Sequence, residues 1–310
     1  GKHPKVEPLI LRIWSEQLDD SAKNGQTHSS LISPCPLIHE LRLVKDSHEI
    51  NRIREAARIS AGAHELARNV VHPGMNERQL QGEIEQYFLK HGARGPAYNS
   101  IVAGGDNACV LHYTANKSNL NDGDLVLIDA GCSLQDYYNG DITRTFPVNG
   151  TFTSEQKALY EVVLNAQEKA IKEVSPGGNA ENVHITAARA LILGLLDLGL
   201  LKGQVDSILE QELYKHLYMH RTGHWLGLDV HDVGAYRLGE RPIDLQSGMV
   251  LTVEPGLYIS DRLPVPKGQP VIDERWKGIG IRIEDDVLVG KNGPEVLTSL
   301  ALKDIDSIQK

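Results

Sequence analysis

The sequence predicts an α+β domain, with strands gathered into a sheet and helices covering it. Three observations predict it. Helical periodicity comes in pairs, and each pair is followed by strand-like segments. Acids and histidines lie inside those strand-like segments, flanked by aliphatic residues. Helices and strands are segregated along the chain rather than alternating, which favours α+β over α/β. No close internal sequence repeat accompanies the pattern.

Residues 1–40 differ from the rest. Leu9 to Ile13 fits a strand or part of a helix, and the polar run Asp19 to Ser30 reads as a loop. Ser33-Pro34-Cys35-Pro36 reads as a stiff connector, because each proline biases its predecessor towards extended backbone. So short a segment buries no core of its own. It must lean on something else, and is set apart from the main domain over 41–310.

Order begins at Asp46, which with Glu49 has capping-box spacing. Ile50, Ile53, Ala57, Ala61 and Leu66 then share one helical face. Gly74 follows, and Asn76 caps a second helix carrying Leu80, Ile84, Tyr87 and Phe88 that stops at Gly92. Asp124 to Ala130 and Tyr137 to Val148 read as strands. Thr153 and Gln156 open a third helix, the loop Ser175 to Asn179 ends it, and a fourth runs to about Leu200. A shorter amphipathic helix spans Asp206 to Leu217. The remainder is strand-like around His224 to Val230, Met249 to Ile259 and Gly280 to Val289.

Composition excludes several function classes. With 41% hydrophobic and 24% charged residues among 310, the chain reads as soluble and globular. A net charge of −9 argues against a nucleic-acid partner, which requires a basic face. No polybasic run suits an acidic membrane, and the most apolar stretch, Leu191 to Leu201, is interrupted by Gly194, Asp197 and Gly199. Cys35, Cys109 and Cys132 have no metal-knuckle spacing and read as reduced thiols. A cytoplasmic location follows, or an organellar matrix if the N-terminus is processed. The sequence starts at Gly1 with no signal-peptide pattern, so it reads as processed or as part of a longer chain.

The chemistry lies in acids placed in apolar strands. They occur in Leu125-Val126-Leu127-Ile128-Asp129-Ala130-Gly131, in Gly140-Asp141-Ile142-Thr143-Arg144-Thr145-Phe146, in Val250-Leu251-Thr252-Val253-Glu254 and in Ile279-Gly280-Ile281-Arg282-Ile283-Glu284. A buried carboxylate is costly unless paired or metal-bound. Side chains alternate along a strand, so Asp141 shares a face with Thr143, and Arg282 with Glu284. One such acid reads as a strand end or an ion pair. Four that face each other cannot all remain ionised without countercharge. Arg282 supplies one positive charge, and two divalent cations would supply four. Histidines reinforce this reading: His220, His224 and His231 fall within His220-Arg221-Thr222-Gly223-His224-Trp225-Leu226-Gly227-Leu228-Asp229-Val230-His231, and His112 lies earlier.

These segments, with Asp232-Val233-Gly234, Thr252-Val253-Glu254-Pro255-Gly256 and Gly280-Ile281-Arg282-Ile283-Glu284-Asp285, resemble the family of aminopeptidase P, prolidase and methionine aminopeptidase, the pita-bread metallopeptidases. The resemblance runs from about Pro36 to Leu300 and is nearest to the aminopeptidase P branch. It implies a curved, mostly antiparallel sheet covered by helices. It implies five metal ligands, Asp129, Asp141, His224, Glu254 and Glu284, with Asp141 and Glu284 bridging two divalent ions. Manganese is implied first, with cobalt or zinc as other occupants.

The implied reaction is release of an N-terminal residue from peptides with proline second. Water activated between the metals attacks the scissile carbonyl, and Glu254 takes its proton. His231 and His112 would hold the carbonyl and stabilise the oxyanion. His220 would shape the pocket for proline, and Arg282 and Thr143 would orient ligands from behind. Asp232 and Tyr258 are set outside the site. The alternative within the family is a prolidase confined to Xaa-Pro dipeptides. A metal-free creatinase-like enzyme or an inactive binding module of the same fold would lack some of the ligands.

Two departures from the family stand out. Only a tail of the N-terminal domain that supports oligomers in full-length relatives remains, which predicts a smaller oligomer or a monomer. Asp129 and Asp141 are also spaced one residue longer than is usual. A one-residue slip would turn Asp141 to the wrong face. The extra residue is therefore expected in the turn or in a bulge between Cys132 and Gly140.

Overall fold

The computed structural model describes residues 4, 6–24, 32–260 and 264–309. They fall into two compact units, Gly1–Leu41 and Arg42–Lys310. In the first unit, helix α1 spans Glu7–Asn24. The polar residues from Asp19 to Asn24, expected as loop, are thus helical; the remainder of that expected loop, 25–30, lies outside the described residues. Leu9, Ile10, Leu11 and Ile13 remain about half exposed, as expected of a segment too short to build a core. Helix α2 spans Cys35–Leu43, so the expected stiff connector is shorter than its two prolines suggest. Pro36 falls in the first turn, where a missing N–H costs nothing.

The second unit opens with α3, Ser47–Val70, under a complete capping box between Asp46 and Glu49. Ile53, Ala57 and Ala61 are buried on its inner face. Helix α4, Glu77–Lys90, repeats the device with Asn76 and Gln79, and buries Leu80, Ile84 and Phe88. Strands β1 (Ile101–Gly104), β2 (Leu125–Asp129) and β3 (Thr143–Pro147) follow, in the antiparallel order β1-β2-β3.

A second helix pair comes next: α5, Ser154–Lys172, boxed by Thr153 and Gln156, and α6, Ala180–Asp197, capped by Asn179. The expected helix from Asp206 to Leu217 is broken. Helix α7, Val205–Glu210, gives way to a 3-10 turn over Leu213–His216, because Glu212 takes a left-handed φ of 53°.

Strands β4 (Val250–Val253), β5 (Gly256–Ile259), β6 (Ile279–Arg282), β7 (Asp285–Gly290) and β8 (Gly293–Val296) follow, before the short α8 (Ile305–Ile308). All observed strand pairings are antiparallel. No helix among the described residues is long and apolar enough to cross a membrane.

Two breaks in the strands position the site. The strand expected over 249–259 is divided between β4 and β5 at Glu254-Pro255, where proline has no ladder N–H to offer. Its partner is divided between β6 and β7 at Ile283-Glu284. The pairings Val253 with Asp285 and Gly256 with Arg282 share one register, which sets Glu254 directly opposite Glu284.

The β2–β3 hairpin also keeps a single register, from Leu125 opposite Pro147 to Ser133 opposite Asn139. The Leu134 N–H then bonds to the Tyr138 carbonyl, and the Tyr137 N–H to the Leu134 carbonyl. The ladder carries no bulge at Asn139-Gly140. The turn absorbs the length, with Tyr137 at φ 72° in the left-handed position. Gly131 is required in this hairpin, since a Cβ there would overlap the carbonyl of Gly140.

The strand expected over His224 to Val230 is the largest departure. Residues 222–226 do lie along β4: the Glu254 N–H bonds to the Thr222 carbonyl, Thr252 to His224, and Leu226 to Val250. Beyond Leu226 the chain leaves the ladder. The Gly227 N–H turns to the Asp229 carbonyl, and the Asp232 N–H returns to the Trp225 carbonyl, closing a loop over 225–232.

Helices and strands share one large core, from Ile53 and Ile84 through Val126 and Ile128 to Leu159, Leu191 and Ile281. Leu127 packs on the other face of β2 with Ile101 and Tyr258. That strand is therefore covered on both sides, and Asp129 emerges on the face of Leu127 at its end.

Candidate metal centre

A cleft of about 940 Å³ opens where β2, β3, the 222–226 segment and the two strand breaks meet. Asp129, Asp141, His224, Glu254 and Glu284 all line it, as do His112, His220, His231 and Arg282. Register explains the convergence. Asp129 pairs with Thr143, Asp141 lies two residues before Thr143 on the same face, and Glu254 opposes Glu284.

Hydrogen bonds tie the groups together. The Tyr98 hydroxyl lies 2.6 Å from Asp129 Oδ1 and 2.5 Å from Asp141 Oδ1. Arg282 donates through Nη2 to Asp129 Oδ2 at 2.6 Å and through Nε to the Thr143 hydroxyl at 3.0 Å. Thr143 in turn donates to Glu284 Oε2 at 2.6 Å. Two bifurcated contacts at 3.1 and 3.3 Å hold the Asp141 N–H on the buried carboxylate of Asp286. His224 Nε2 lies 3.3 Å from Asp141 Oδ2 and 3.8 Å from Glu254 Oε1, and its Nδ1 faces the Trp225 carbonyl at 3.0 Å. That leaves Nε2 as the ring nitrogen presented to the acids.

The histidine at 220 closes a relay. Arg282 Nη1 donates to the Tyr258 hydroxyl at 3.0 Å, Tyr258 donates to His220 Nε2 at 2.8 Å, and His220 Nδ1 faces the Arg221 carbonyl at 2.8 Å. Tyr258, set outside the site on sequence grounds, is therefore part of it. Tyr98 was not singled out at all. It lies in a loop, and its two partners are distant in the chain, so nothing local marks it. His231 rests edge-on against His224, with ring centroids 4.2 Å apart. His112 lines the cleft from the segment after β1. Asp232 faces away from the cleft, into the protein.

The electrostatics follow from burial. Burial pushes the Glu254 carboxyl up to about 7 against the pull of His224 and Arg282. It also raises Glu284, with Asp141 and Glu254 adding repulsion. Burial raises Asp129 as well, opposed by Arg282. Asp141 alone lies below its ordinary range: burial works against its charge, but the bond to His224 prevails. His224 is correspondingly lifted to about 9, burial being outweighed by Asp141.

The donor set fits divalent cations. Glu254 and Glu284 stand directly opposite each other, a placement that costs stability for like charges. Arg221, Arg237 and Arg282 all line the cleft, and Arg282 is the one that bonds to Asp129 among the described residues. One oxygen each from Asp141 and Glu284 and one nitrogen from His224 lie within 4.8 Å of one another, a spacing that suits a shared ion. Carboxylate oxygens with one imidazole form a hard, oxygen-rich set.

A model of metallopeptidase family M24 matches residues 51–291. The chain is 47% identical over 300 residues to the Xaa-Pro aminopeptidase of Haemophilus influenzae, covering 96% of this chain and 67% of that one. It is 46% identical over 309 residues to the Xaa-Pro aminopeptidase of Escherichia coli, covering 100% and 68%. Its fold is similar to the solved structure of Pseudomonas aeruginosa aminopeptidase PepP, with a TM-score of 0.91 at 45% identity over 99% of this chain and 68% of that one. The chain thus spans about two thirds of the length of these relatives.

Proposed function

The chain belongs to metallopeptidase family M24, and on that premise we propose that it is an Xaa-Pro aminopeptidase, releasing the N-terminal residue from peptides with proline in second place. One observation carries the reading: Asp129, Asp141, His224, Glu254 and Glu284 come from separate segments and converge in one cleft, with Arg282 bonded to Asp129. The Xaa-Pro aminopeptidases at 46% and 47% identity support the substrate class.

Asp129, Asp141, His224, Glu254 and Glu284 would hold two divalent ions, with manganese the preferred occupant. Such ions supply Lewis-acid polarisation and lower the pKa of a shared water. Glu254, which lines the cleft opposite Glu284, would take a proton and return it to the leaving amine. His231, its pKa lowered by burial, is neutral near pH 7 and donates one N–H towards the scissile carbonyl; His112 faces the same cleft and assists. His220, held by Tyr258, shapes the wall that receives proline. Arg282 and Thr143 keep Asp129 and Glu284 in place.

The test is exhaustive chelation followed by metal return, assayed on an Xaa-Pro-Xaa tripeptide and an Xaa-Pro dipeptide. Activity should vanish on chelation, return best with manganese, and favour the tripeptide. Full activity in protein shown to be metal-free by elemental analysis rejects the reading. Turnover of the dipeptide alone reassigns the chain to the prolidase reaction.

A further inference from the structure

No side-chain hydrogen bond places His231 among the described residues; its ring packs edge-on against His224. Its orientation must therefore come from the loop over 225–232. Besides the Arg42 bond to Asp229 Oδ2 at 2.8 Å, three ties hold that loop. The Asp232 N–H closes it on the Trp225 carbonyl at 2.9 Å. The Gly227 carbonyl accepts the backbone N–H and the side-chain amide of Asn139, each at 3.1 Å, which fastens the loop to the hairpin carrying Asp141. The third tie is ionic. Asp232 Oδ2 meets Lys45 Nζ at 3.3 Å with both side chains only 1% exposed, and Asp232 Oδ1 takes Arg42 and the Val233 N–H.

Sequence and packing agree on that third tie. A Cβ at Gly227 would collide with Asp232 Oδ2 and crowd Lys45 Cε, so the ion pair occupies the space a side chain would need. Lys45 is anchored in turn, its N–H bonding to the Gly248 carbonyl at 2.9 Å. A buried pair of this kind contributes little net stability, and removing one partner leaves the other charge stranded. Its value then lies in fixing geometry.

We propose that Lys45 and Asp232 are positioning residues for the reaction: the buried ion pair clamps the 225–232 loop and so aims the His231 imidazole at the cleft. The inference rests on the role given to His231 above. A misplacement of about 1 Å in such a group costs on the order of 10²-fold in rate.

A double-mutant cycle on turnover tests it. Asp232→Asn keeps the side-chain volume and an oxygen for the Val233 N–H but removes the charge. We expect kcat to fall on the order of tenfold to 10²-fold with KM little changed and metal content retained. On a His231→Ala background the same change should cost nothing more, because its effect runs through the missing imidazole. Equal losses in both backgrounds mean a general structural role and overturn the inference, as does unchanged turnover of Asp232→Asn. Near-normal turnover of His231→Ala alone removes the role of His231 and this inference together, whereas additive losses remove only the inference. If Asp232→Asn does not fold, Lys45→Gln takes its place in the cycle, with Lys45→Arg as the rescue, and the same outcomes decide.

Discussion

Glu254 and Glu284 face each other, and in each burial outweighs the pull of Arg282 on the carboxyl. At this scale the predictions are about protons and ligands. Glu254→Gln keeps the shape and removes the proton acceptor, so kcat should fall by about 10²- to 10⁴-fold with a small change in KM. His231→Ala should lower kcat by about 10²- to 10³-fold without loss of metal, read by elemental analysis beside the kinetics. Tyr98→Phe removes the hydroxyl shared by Asp129 and Asp141; metal affinity should weaken about 10- to 100-fold in a competition titration with a chelator. The acids and histidines were legible in the sequence because each interrupts an apolar strand, where a charge demands an explanation. Tyr98 and Tyr258 were not, since tyrosine is ordinary in loops and strands and their partners come from remote segments.

Helices α3 to α6 were legible because their caps are local. Asp46 with Glu49, Asn76 with Gln79 and Thr153 with Gln156 all close the boxes their spacing implies. The 225–232 loop was not, because its apolar residues look like strand and only the Asp232–Trp225 bond and the buried ion pair bend it away. The hairpin turn gives a prediction for an element. Tyr137 sits in left-handed backbone, which costs about 1–2 kcal/mol, while its ring lies 4.7 Å from the Arg94 guanidinium. That exposed cation–π contact returns about 0.5–1 kcal/mol. Tyr137→Gly should therefore raise stability only slightly in the wild type, and by about 1 kcal/mol once Arg94→Ala has removed the contact, as urea unfolding would measure.

Asp285, at the start of β7, offers a second element-scale prediction. Its buried carboxylate accepts from Arg144 and Lys303 at 2.6 Å each, and from Gln167 and Thr298 at 2.7 Å each. Burial opposes the charge, yet Arg144 and Lys303 prevail and hold the carboxyl below its ordinary range. A depressed folded pKa contributes stability that is complete above the unfolded value of about 3.9 and is lost as pH falls through the folded one. Asp285→Asn should cost about 3–5 kcal/mol at pH 7 by stranding Arg144. The gap from wild type should narrow on acidification below about pH 4. A constant gap across that range would show that the charge is not what Asp285 contributes.

Across the whole molecule, the cleft joins both helix-and-strand halves, and ions bound there would stabilise only the native state. Chelation should therefore lower the unfolding midpoint, by about 5 °C or more where metal had stood at 100 times its Kd, equivalent to about 2.7 kcal/mol. An unchanged midpoint would mean that the two halves do not depend on the centre. The paired order of helices and strands was readable from periodicity. The strand partnerships were not, because β4 pairs with β7 and β5 with β6 across long stretches of chain that carry no local signal.

The same long reach governs when the enzyme can exist. Asp129 and Asp141 leave the ribosome before Glu284, whose opposition to Glu254 depends on β6 and β7 having folded back on β4 and β5. Synthesis proceeds from the N-terminus at about 5–20 residues per second, and such non-local pairings are slow to form. A nascent chain halted before Glu284, or one clipped there, would carry Asp129, Asp141, His224 and Glu254 but lack the fifth ligand and so have no working centre. Proteolytic power is thereby withheld until β6 and β7 are in place.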